Sequence, residues 1–141
     1  MQETQSKFCG CLYHGANALS RIMTKISDEE FARIGLGSSH AFLLMTVNEK
    51  PGIQPKEISC HMQLTASTVT RLIEKMEYRG LLKRESVGRS TEVYPTDSGL
   101  AMQPTLKEIW QGLYKRYSTV LSKEVADQLT ADVYSAIQKL E

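Results

Sequence analysis

The 141-residue sequence predicts a mainly α-helical protein with one small β-hairpin. Three observations support this fold class. Apolar residues recur every three or four positions through most of the chain, as they do in amphipathic helices. Residues that begin or end helices, chiefly serine, threonine, glycine and proline, separate these stretches. Residues 81–95 instead contain two short segments on either side of Gly88, which predicts two strands joined by a tight turn.

The first predicted helix runs from Lys7 to at least Ile26. Six of its residues are spaced alternately four and three positions apart, as in a heptad seam. They are Phe8, Leu12, Gly15, Leu19, Ile22 and Ile26. Such a seam either packs within the chain or meets a partner helix. Ser27 and Glu30 have the spacing of a capping box, so residues 27–34 either continue this helix or begin another.

The second predicted helix follows GLGSSH, residues 35–40, whose glycines and serines interrupt the helical pattern. Ser38 or Ser39 is its expected N-cap, and the apolar run AFLLMTVNE is expected to lie in the core. The turn KPGIQP comes next. It ends at Pro55, which suits the first position of a third helix, PKEISCHM. Cys60 on this third helix is expected to be a core residue.

The fourth predicted helix begins after the interruption QLT, where Thr65 is the expected N-cap. It extends from Ala66 to Arg79, and Gly80 ends it because glycine readily adopts the left-handed conformation there. Leu72, Ile73, Met76 and Leu81 form the apolar side of this stretch, and hydroxyl and basic residues form the other side. The pattern therefore predicts one buried side and one exposed polar side.

The two predicted strands, residues 81–86 and 91–95, are joined by a turn from Val87 to Ser90. A helix, a short turn, a second helix and then a hairpin is the order of a winged helix-turn-helix. The fold class that we expect is therefore mainly α with a small β-hairpin wing, flanked by long helices at both ends of the chain.

A long helix is expected from Thr96 or Asp97 to Leu121, with a kink or a late start at Pro104, and Ser122 caps a last helix. The flanking helices have more apolar surface than the central lobe can cover. We therefore expect three parts, which are an N-terminal helix in residues 1–36, a central lobe in 37–98 and C-terminal helices in 99–141.

The exposed side of the fourth helix carries the residues that suit DNA. A recognition helix places its N-terminal side chains against base edges in the major groove. Here those are Thr65, Ser67, Thr68, Thr70 and Arg71, which are small hydroxyls and one arginine. Lys75 and Arg79 follow Arg71 at intervals of four, which gives a basic row along the helix. The alternative is an ordinary solvated face in which Glu74 pairs with Arg71.

Charge supports this interpretation only weakly. The formal net charge is +1, and residues 65–96 hold six basic and four acidic side chains. Arg89 stands at the predicted hairpin tip, where an arginine can enter a narrow minor groove. The alternative is an arginine on an exposed turn. Helix, basic row and hairpin are each weak signals, but their order and spacing together predict DNA binding.

The stretch ISCHMQLTASTVTRLIEKMEYRGLLKRESVGRSTEVYPTDSG resembles the core of the MarR family of bacterial transcriptional regulators. The family pattern is matched from Ser67 to Ile73 and at further positions through the wing and beyond. These are Glu77, Gly80, Leu81, Arg84, Arg89, Ser90, Thr96 and Gly99. The helix order outside this stretch also fits. The wing departs from the pattern, because it is shorter and Val87 stands where the family has an aspartate.

The resemblance implies a homodimer that binds double-stranded DNA at a pseudo-palindromic operator, acting as a repressor. It also implies a single intertwined domain, with an N-terminal dimerisation helix in residues 1–36, the DNA-binding lobe in 37–98 and C-terminal dimerisation helices in 99–141. The implied DNA-binding residues are Thr65, Ser67, Thr68, Thr70, Arg71, Lys75, Arg84, Arg89 and Ser90. Members of the family release DNA when a phenolic or anionic small molecule binds between the DNA-binding lobe and the dimer helices. An alternative is a winged-helix protein-interaction module that does not bind DNA.

Oxidation of a cysteine is a second possible switch. Cys9 and Tyr13 are four positions apart in the first predicted helix, which resembles the start of the peroxide-sensing OhrR-like branch. Met23 stands where that branch has a second tyrosine. Cys11 is an additional thiol that could resolve an oxidised Cys9. The alternative is that Cys9 is a small apolar residue in a helix seam.

Several classes of function are not supported. The sequence contains no nucleophile–base pair, paired carboxylates or phosphate loop, so we do not expect an enzyme or a cofactor. Three cysteines do not make a disulfide framework, and Cys9, Cys11 and His14 lack the further ligands of a zinc site. No long apolar run predicts a membrane segment or a secretory signal, so the expected location is the cytoplasm.

Overall fold

The computed structural model describes residues 4–141, which form seven α-helices, a short 3₁₀ helix and one two-stranded antiparallel hairpin. The helices are α1 Leu12–Phe31, α2 Ser38–Glu49, α3 Pro55–Met62, α4 Ala66–Tyr78, α5 Asp97–Ala101, α6 Gln103–Leu121 and α7 Lys123–Leu140. The 3₁₀ helix Ala32–Ile34 follows α1, and the strands are β1 Leu82–Val87 and β2 Ser90–Pro95. The predicted fold class is confirmed. Among these residues, no helix has both the length and the apolar character to cross a membrane.

Helix α2 is at the centre of the core. Leu43, Leu44 and Val47 are fully buried, as the apolar run AFLLMTVNE predicted. Its side chains are apolar on nearly all sides, as expected for a helix covered by several neighbours. It packs against α1, α3, α4, α5, α6 and β2. The position of α4 relative to the rest of the molecule is therefore set by its packing on α2.

The N-terminus of α2 is stabilised by hydrogen bonds to a carboxylate on α1. Ser38 and Ser39 do not act as the N-cap, which is Gly37, a residue without a side chain. The backbone N–H and the hydroxyl of Ser38 instead both donate to Oδ1 of Asp28, at 3.0 and 2.6 Å. These two hydrogen bonds hold the pKa of the Asp28 carboxyl below its usual value. The predicted cap was wrong because the carboxylate that replaces it lies ten positions earlier in the chain.

The wing is joined to the helix-turn-helix through the loop between α2 and α3. Gly52 N–H donates to the Val93 carbonyl at 2.8 Å, and Val93 N–H donates to the Ile53 carbonyl at 3.0 Å. The strands pair from Leu82 opposite Pro95 to Val87 opposite Ser90. Both predicted strands are confirmed; β1 is shifted by one residue at both ends, and β2 begins one residue earlier than predicted. Strand β2 is therefore bonded to β1 on one side and to the loop at Gly52 and Ile53 on the other. This pairing fixes the direction in which the wing leaves the domain.

Two other sequence predictions were partly wrong. The first helix begins at Leu12, so Phe8 and Cys9 lie in the preceding turn. Cys60 was expected in the core but is exposed on α3. The late start predicted at Pro104 is confirmed, because Met102 separates α5 from α6 and the proline occupies the first turn of α6.

Gly99 marks the closest approach between the start of the wing and the C-terminal helices. A Cβ at this position would overlap the carbonyl oxygen of Leu81 and lie 3.1 Å from Cδ1 of Leu44. The contact is reinforced by Thr96, whose N–H donates to the Leu81 carbonyl at 3.1 Å. Its hydroxyl donates to the Gly80 carbonyl at 2.7 Å. A residue without a side chain is therefore needed at position 99.

Gly99→Ala is expected to destabilise the protein by at least about 2 kcal/mol, because backbone atoms of Leu81 must move to admit a methyl group. Gly112→Ala in α6 is the matched control, since nothing lies within 4 Å of a Cβ placed there. That control should be neutral or slightly stabilising, since alanine favours a helix over glycine. Urea unfolding of both variants measures the difference. Equal stability of the two variants would contradict the close packing.

Candidate nucleic-acid interface

Helices α3 and α4 form the predicted helix-turn-helix. Pro55 occupies the first turn of α3, and Gln63 ends that helix in the left-handed conformation, with φ of 55°. Leu64 N–H then donates to the Ser59 carbonyl at 3.3 Å, which closes the turn. This reversal presents the N-terminus of α4 at the surface. The turn is the QLT interruption identified in the sequence.

The N-terminus of α4 is capped as predicted. The Thr65 hydroxyl accepts a hydrogen bond from Thr68 N–H at 3.4 Å and lies 2.9 Å from the Thr68 hydroxyl. The Thr70 hydroxyl donates back to the Ala66 carbonyl at 3.0 Å, so it is already engaged within the helix. Ser67 and Arg71 are exposed. These two side chains are therefore the best placed on this turn to reach a base or a phosphate.

The opposite side of α4 is buried. Val69, Ile73 and Met76 are at most 1% exposed and belong to the same core cluster as α2. Their positions recur at four and three residues, so one face of the helix is fixed against the core. The face with Ser67 and Arg71 must then point outward. The division predicted for this helix is confirmed.

The basic row does not act as a unit. Nη1 of Arg79 donates to the Gly35 carbonyl at 2.8 Å, which ties the end of α4 to the turn before α2. Arg71 and Lys75 are exposed, and neither makes an ion pair within 4 Å among residues 4–141. The expected alternative, pairing of Arg71 with Glu74, is therefore not found. Two of the three cations in the row remain available to an anionic ligand.

Arg84 is held by α4. Its Nε lies 2.8 Å from Oε1 of Glu77, and its Nη2 lies 4.0 Å from Oε1 of Glu74. In this position the arginine links β1 to α4 across the base of the wing. The family resemblance implied that Arg84 contacts DNA, whereas in the structure its guanidinium has internal partners. Its contribution to DNA binding stays a prediction.

Arg89 and Ser90 lie at the tip of the wing. Gly88 has φ of 62°, which lets a two-residue turn join Val87 to Ser90. Arg89 is exposed, and half of the Val87 side chain is also accessible. The predicted turn is confirmed. The tip therefore presents one arginine, on an element separate from α4.

A cleft beside α4 was not found by sequence reasoning. It has a volume of about 600 Å³ and is open to solvent. We call it the basic cleft; it is lined by His40, Arg71, Glu74, Lys75, Tyr78 and Arg79. His40 comes from the first turn of α2, so only the packing of α2 on α4 brings it here. Burial lowers the pKa of the His40 imidazole, and the positive charges of Lys75 and Arg79 lower it further.

A second cleft is almost entirely apolar. It has a volume of about 430 Å³ and lies between α1, α6 and α7, with Gln63 of the helix-turn-helix at one side. We call it the apolar groove; it is lined by Ala16, Leu19, Ser20, Met23, Gln63, Tyr117, Leu121, Ala126, Leu129, Thr130, Val133, Tyr134 and Ile137. It joins the long helices to the turn that positions α4, so a molecule bound there would touch both.

The predicted redox residues lie just before and at the start of α1. Cys9 precedes α1, Cys11 is its N-cap residue, and both thiols are exposed. The Gln5 side-chain amide lies 3.1 Å from the Cys9 sulfur, and Tyr13 is 80% exposed. The argument that Cys9 and Tyr13 share a helical face was wrong, because α1 begins after Cys9. None of the three lines the apolar groove. Residues 4–141 contain no cluster of acidic, histidine and cysteine side chains fit to hold a metal.

Comparisons with known proteins agree with this geometry. The model of the MarR family matches residues 36–87. The chain is 25% identical over 92 residues to an uncharacterised HTH-type transcriptional regulator, YybA, of Bacillus subtilis (strain 168). That alignment spans 63% of this chain and 61% of YybA.

Solved structures share the fold. The transcriptional repressor CouR, bound to a 23-mer DNA duplex, has a TM-score of 0.84 at 17% identity. The match covers 97% of this chain and 99% of CouR. A mutant MarR from E. coli, complexed with operator DNA, has a TM-score of 0.79 at 14% identity, covering 94% of this chain and 99% of that protein. At such identities the likeness establishes the fold.

The Arg84–Glu77 pair gives a testable prediction for the base of the wing. Arg84→Gln and Glu77→Gln should each lower stability by less than about 1 kcal/mol, because both side chains are partly exposed and screened by solvent. The double variant should lose clearly less than the sum of the two. A double-mutant cycle in urea unfolding measures this coupling. Strictly additive losses would show that the ion pair does not hold the wing on α4.

Proposed function

We propose that this chain is a transcriptional regulator of the MarR family, whose model matches residues 36–87, and that it acts as a sequence-specific DNA-binding repressor. The family consists of transcriptional regulators and not of enzymes. The observation that carries the proposal is the orientation of α4. Its apolar side is buried on α2, while Ser67 and Arg71 project from its N-terminal turns. That is the arrangement with which a recognition helix reads base edges in a major groove.

Phosphate and minor-groove contacts complete the proposed interface. Lys75 is exposed next to Arg71 and can neutralise a backbone phosphate, which positions the helix without reading sequence. Arg89 at the wing tip suits the negative potential of a narrow minor groove. Thr65, Thr68 and Thr70 are further polar side chains at the N-terminal end of α4, and Ser90 follows Arg89 at the wing tip. A regulator that binds genomic DNA acts in the cytoplasm, which is the location that we propose for this protein.

We further propose that it acts as a homodimer. Large apolar side chains remain exposed on the two long terminal helices, among them Leu12 and Ile22 of α1 and Val125 and Val133 of α7. A face of this kind is stabilised by a partner, and a two-fold interface presents the same patch from each protomer. Two copies of α4 would then meet successive major grooves of a pseudo-palindromic operator.

The proposed control is release of DNA by a small molecule in the apolar groove. A phenolic or anionic ligand there would contact α1, α6 and α7 together with Gln63, the residue that ends α3. Binding could thus change the angle at which α4 meets DNA. Oxidation of Cys9 by a peroxide, with Cys11 as the second thiol, is the other candidate switch. Exposure of both thiols favours their reaction with an oxidant.

The alternative of a protein-interaction module that does not bind DNA is distinguished by salt. A protein that neutralises phosphates releases counterions, so its affinity for DNA falls steeply as salt increases. A module without DNA affinity would not be retained by DNA even at low salt. Arg71 and Lys75, which are exposed and without ion-pair partners among the described residues, favour DNA binding.

Arg71→Ala is predicted to weaken binding to duplex DNA from the promoter beside the gene by about tenfold or more, since an arginine–guanine contact contributes about 1–3 kcal/mol. Lys107→Ala in α6 is the matched control, because this lysine is exposed but lies far from α4 in the chain. Fluorescence anisotropy titrations measure both affinities. Wild-type affinity in Arg71→Ala, or equal losses in the two variants, would contradict the proposed reading face.

A further inference from the structure

The basic cleft brings a histidine next to the proposed DNA-binding face. Its α4 side carries Arg71, Lys75 and Arg79, and its α2 side carries His40. A Cβ placed on Gly37 would lie 3.4 Å from Nδ1 of His40. The imidazole therefore leans back over the first turn of α2, where backbone N–H groups have no partners within the helix. Arg71 and Lys75, which have no ion pair among residues 4–141, make the opening favourable for an anion.

The charges that face His40 across the cleft all belong to α4. Arg71, Lys75 and Arg79 are positive, Glu74 is negative and Tyr78 is neutral at ordinary pH. The Tyr78 side chain is 95% exposed, so it leaves the opening free. Asp28 of α1 accepts two hydrogen bonds from Ser38 in the first turn of α2, so this carboxylate is already engaged. The local balance around the imidazole is therefore positive.

We propose that the basic cleft binds a backbone phosphate of the DNA duplex and that His40 contacts this phosphate as imidazolium, so that each protomer takes up a proton when it binds DNA. The proposal rests on the proposed function and adds to it a binding site and a dependence on pH. In the free protein, repulsion from Lys75 and Arg79 and partial burial oppose protonation of His40. A phosphate in the cleft removes that repulsion and favours the charged ring.

Protonation of His40 makes the affinity for DNA depend on pH. The pKa of His40 is lowered in the free protein, and it rises when the phosphate binds. Between these two pKa values the complex holds a proton that the free protein does not. Affinity for DNA therefore increases as pH falls through this interval and levels off below it. A rise of one pKa unit corresponds to an about tenfold gain in affinity for each cleft.

The test uses the full chain and one fluorescent duplex of random sequence, because a phosphate contact does not depend on base sequence. Anisotropy titrations at low salt compare pH from about 8 down to about 5.5, the range in which histidine changes charge. The wild-type protein should bind the duplex at least about tenfold more tightly at the lowest pH than at the highest. His40→Gln should lose this dependence, because glutamine cannot take up the proton.

His61→Gln is the matched control, since His61 is an exposed histidine on α3 of the same helix-turn-helix. It should keep the full pH dependence. Retention of the dependence in His40→Gln, or its loss in His61→Gln, would overturn the proposal while leaving DNA binding intact. Absence of DNA binding by the wild type at every pH would overturn both this inference and the proposed function.

A second measurement does not require a variant. The pKa of the His40 imidazole can be followed by NMR in the free protein and in the DNA complex. It should move upward in the complex. An unchanged or lowered pKa of His40 would contradict a phosphate contact even if His40→Gln altered folding.

Discussion

The burial of one side of α4 on α2 is the interaction on which the rest of the structure depends. Val69, Ile73 and Met76 are excluded from water by the apolar surface of α2. This packing fixes the rotation of α4 about its own axis, and with it the direction of Ser67 and Arg71. The same α2 surface receives Gly99, so the wing and the C-terminal helices are positioned from one element.

Much of the fold followed from local signals. Proline at the start of α3, threonine at the cap of α4 and the Pro104 interruption each act within a few residues, and the structure has all three. The errors involve groups far apart in sequence or a weak helix end. Asp28 replaces a local cap for α2 across ten positions, and α1 starts later than its apolar spacing suggested. His40 reaches the basic cleft only through tertiary packing.

Some basic side chains of the central lobe are bonded within the protein, and others are exposed to solvent. Arg79 and Arg84 hold α4 to the α2 turn and to β1, through the Gly35 carbonyl and Glu77. Arg71, Lys75 and Arg89 are left exposed. This division explains how a chain with a net charge of only +1 can present a positive surface in one place. It also means that counting basic residues in the sequence overestimates how many can meet a phosphate.

The central claim, that α4 reads sequence in a major groove, is tested most directly by selection. Purified protein would be mixed with sheared genomic DNA, and the retained fragments would be sequenced. Two symmetry-related recognition helices should enrich a short motif with two inverted halves, because each helix binds one half. The centres of the two halves should lie about one helical turn apart. This enrichment should be lost with Arg71→Ala. Retention of fragments without any shared motif, or of none at all, would contradict the claim.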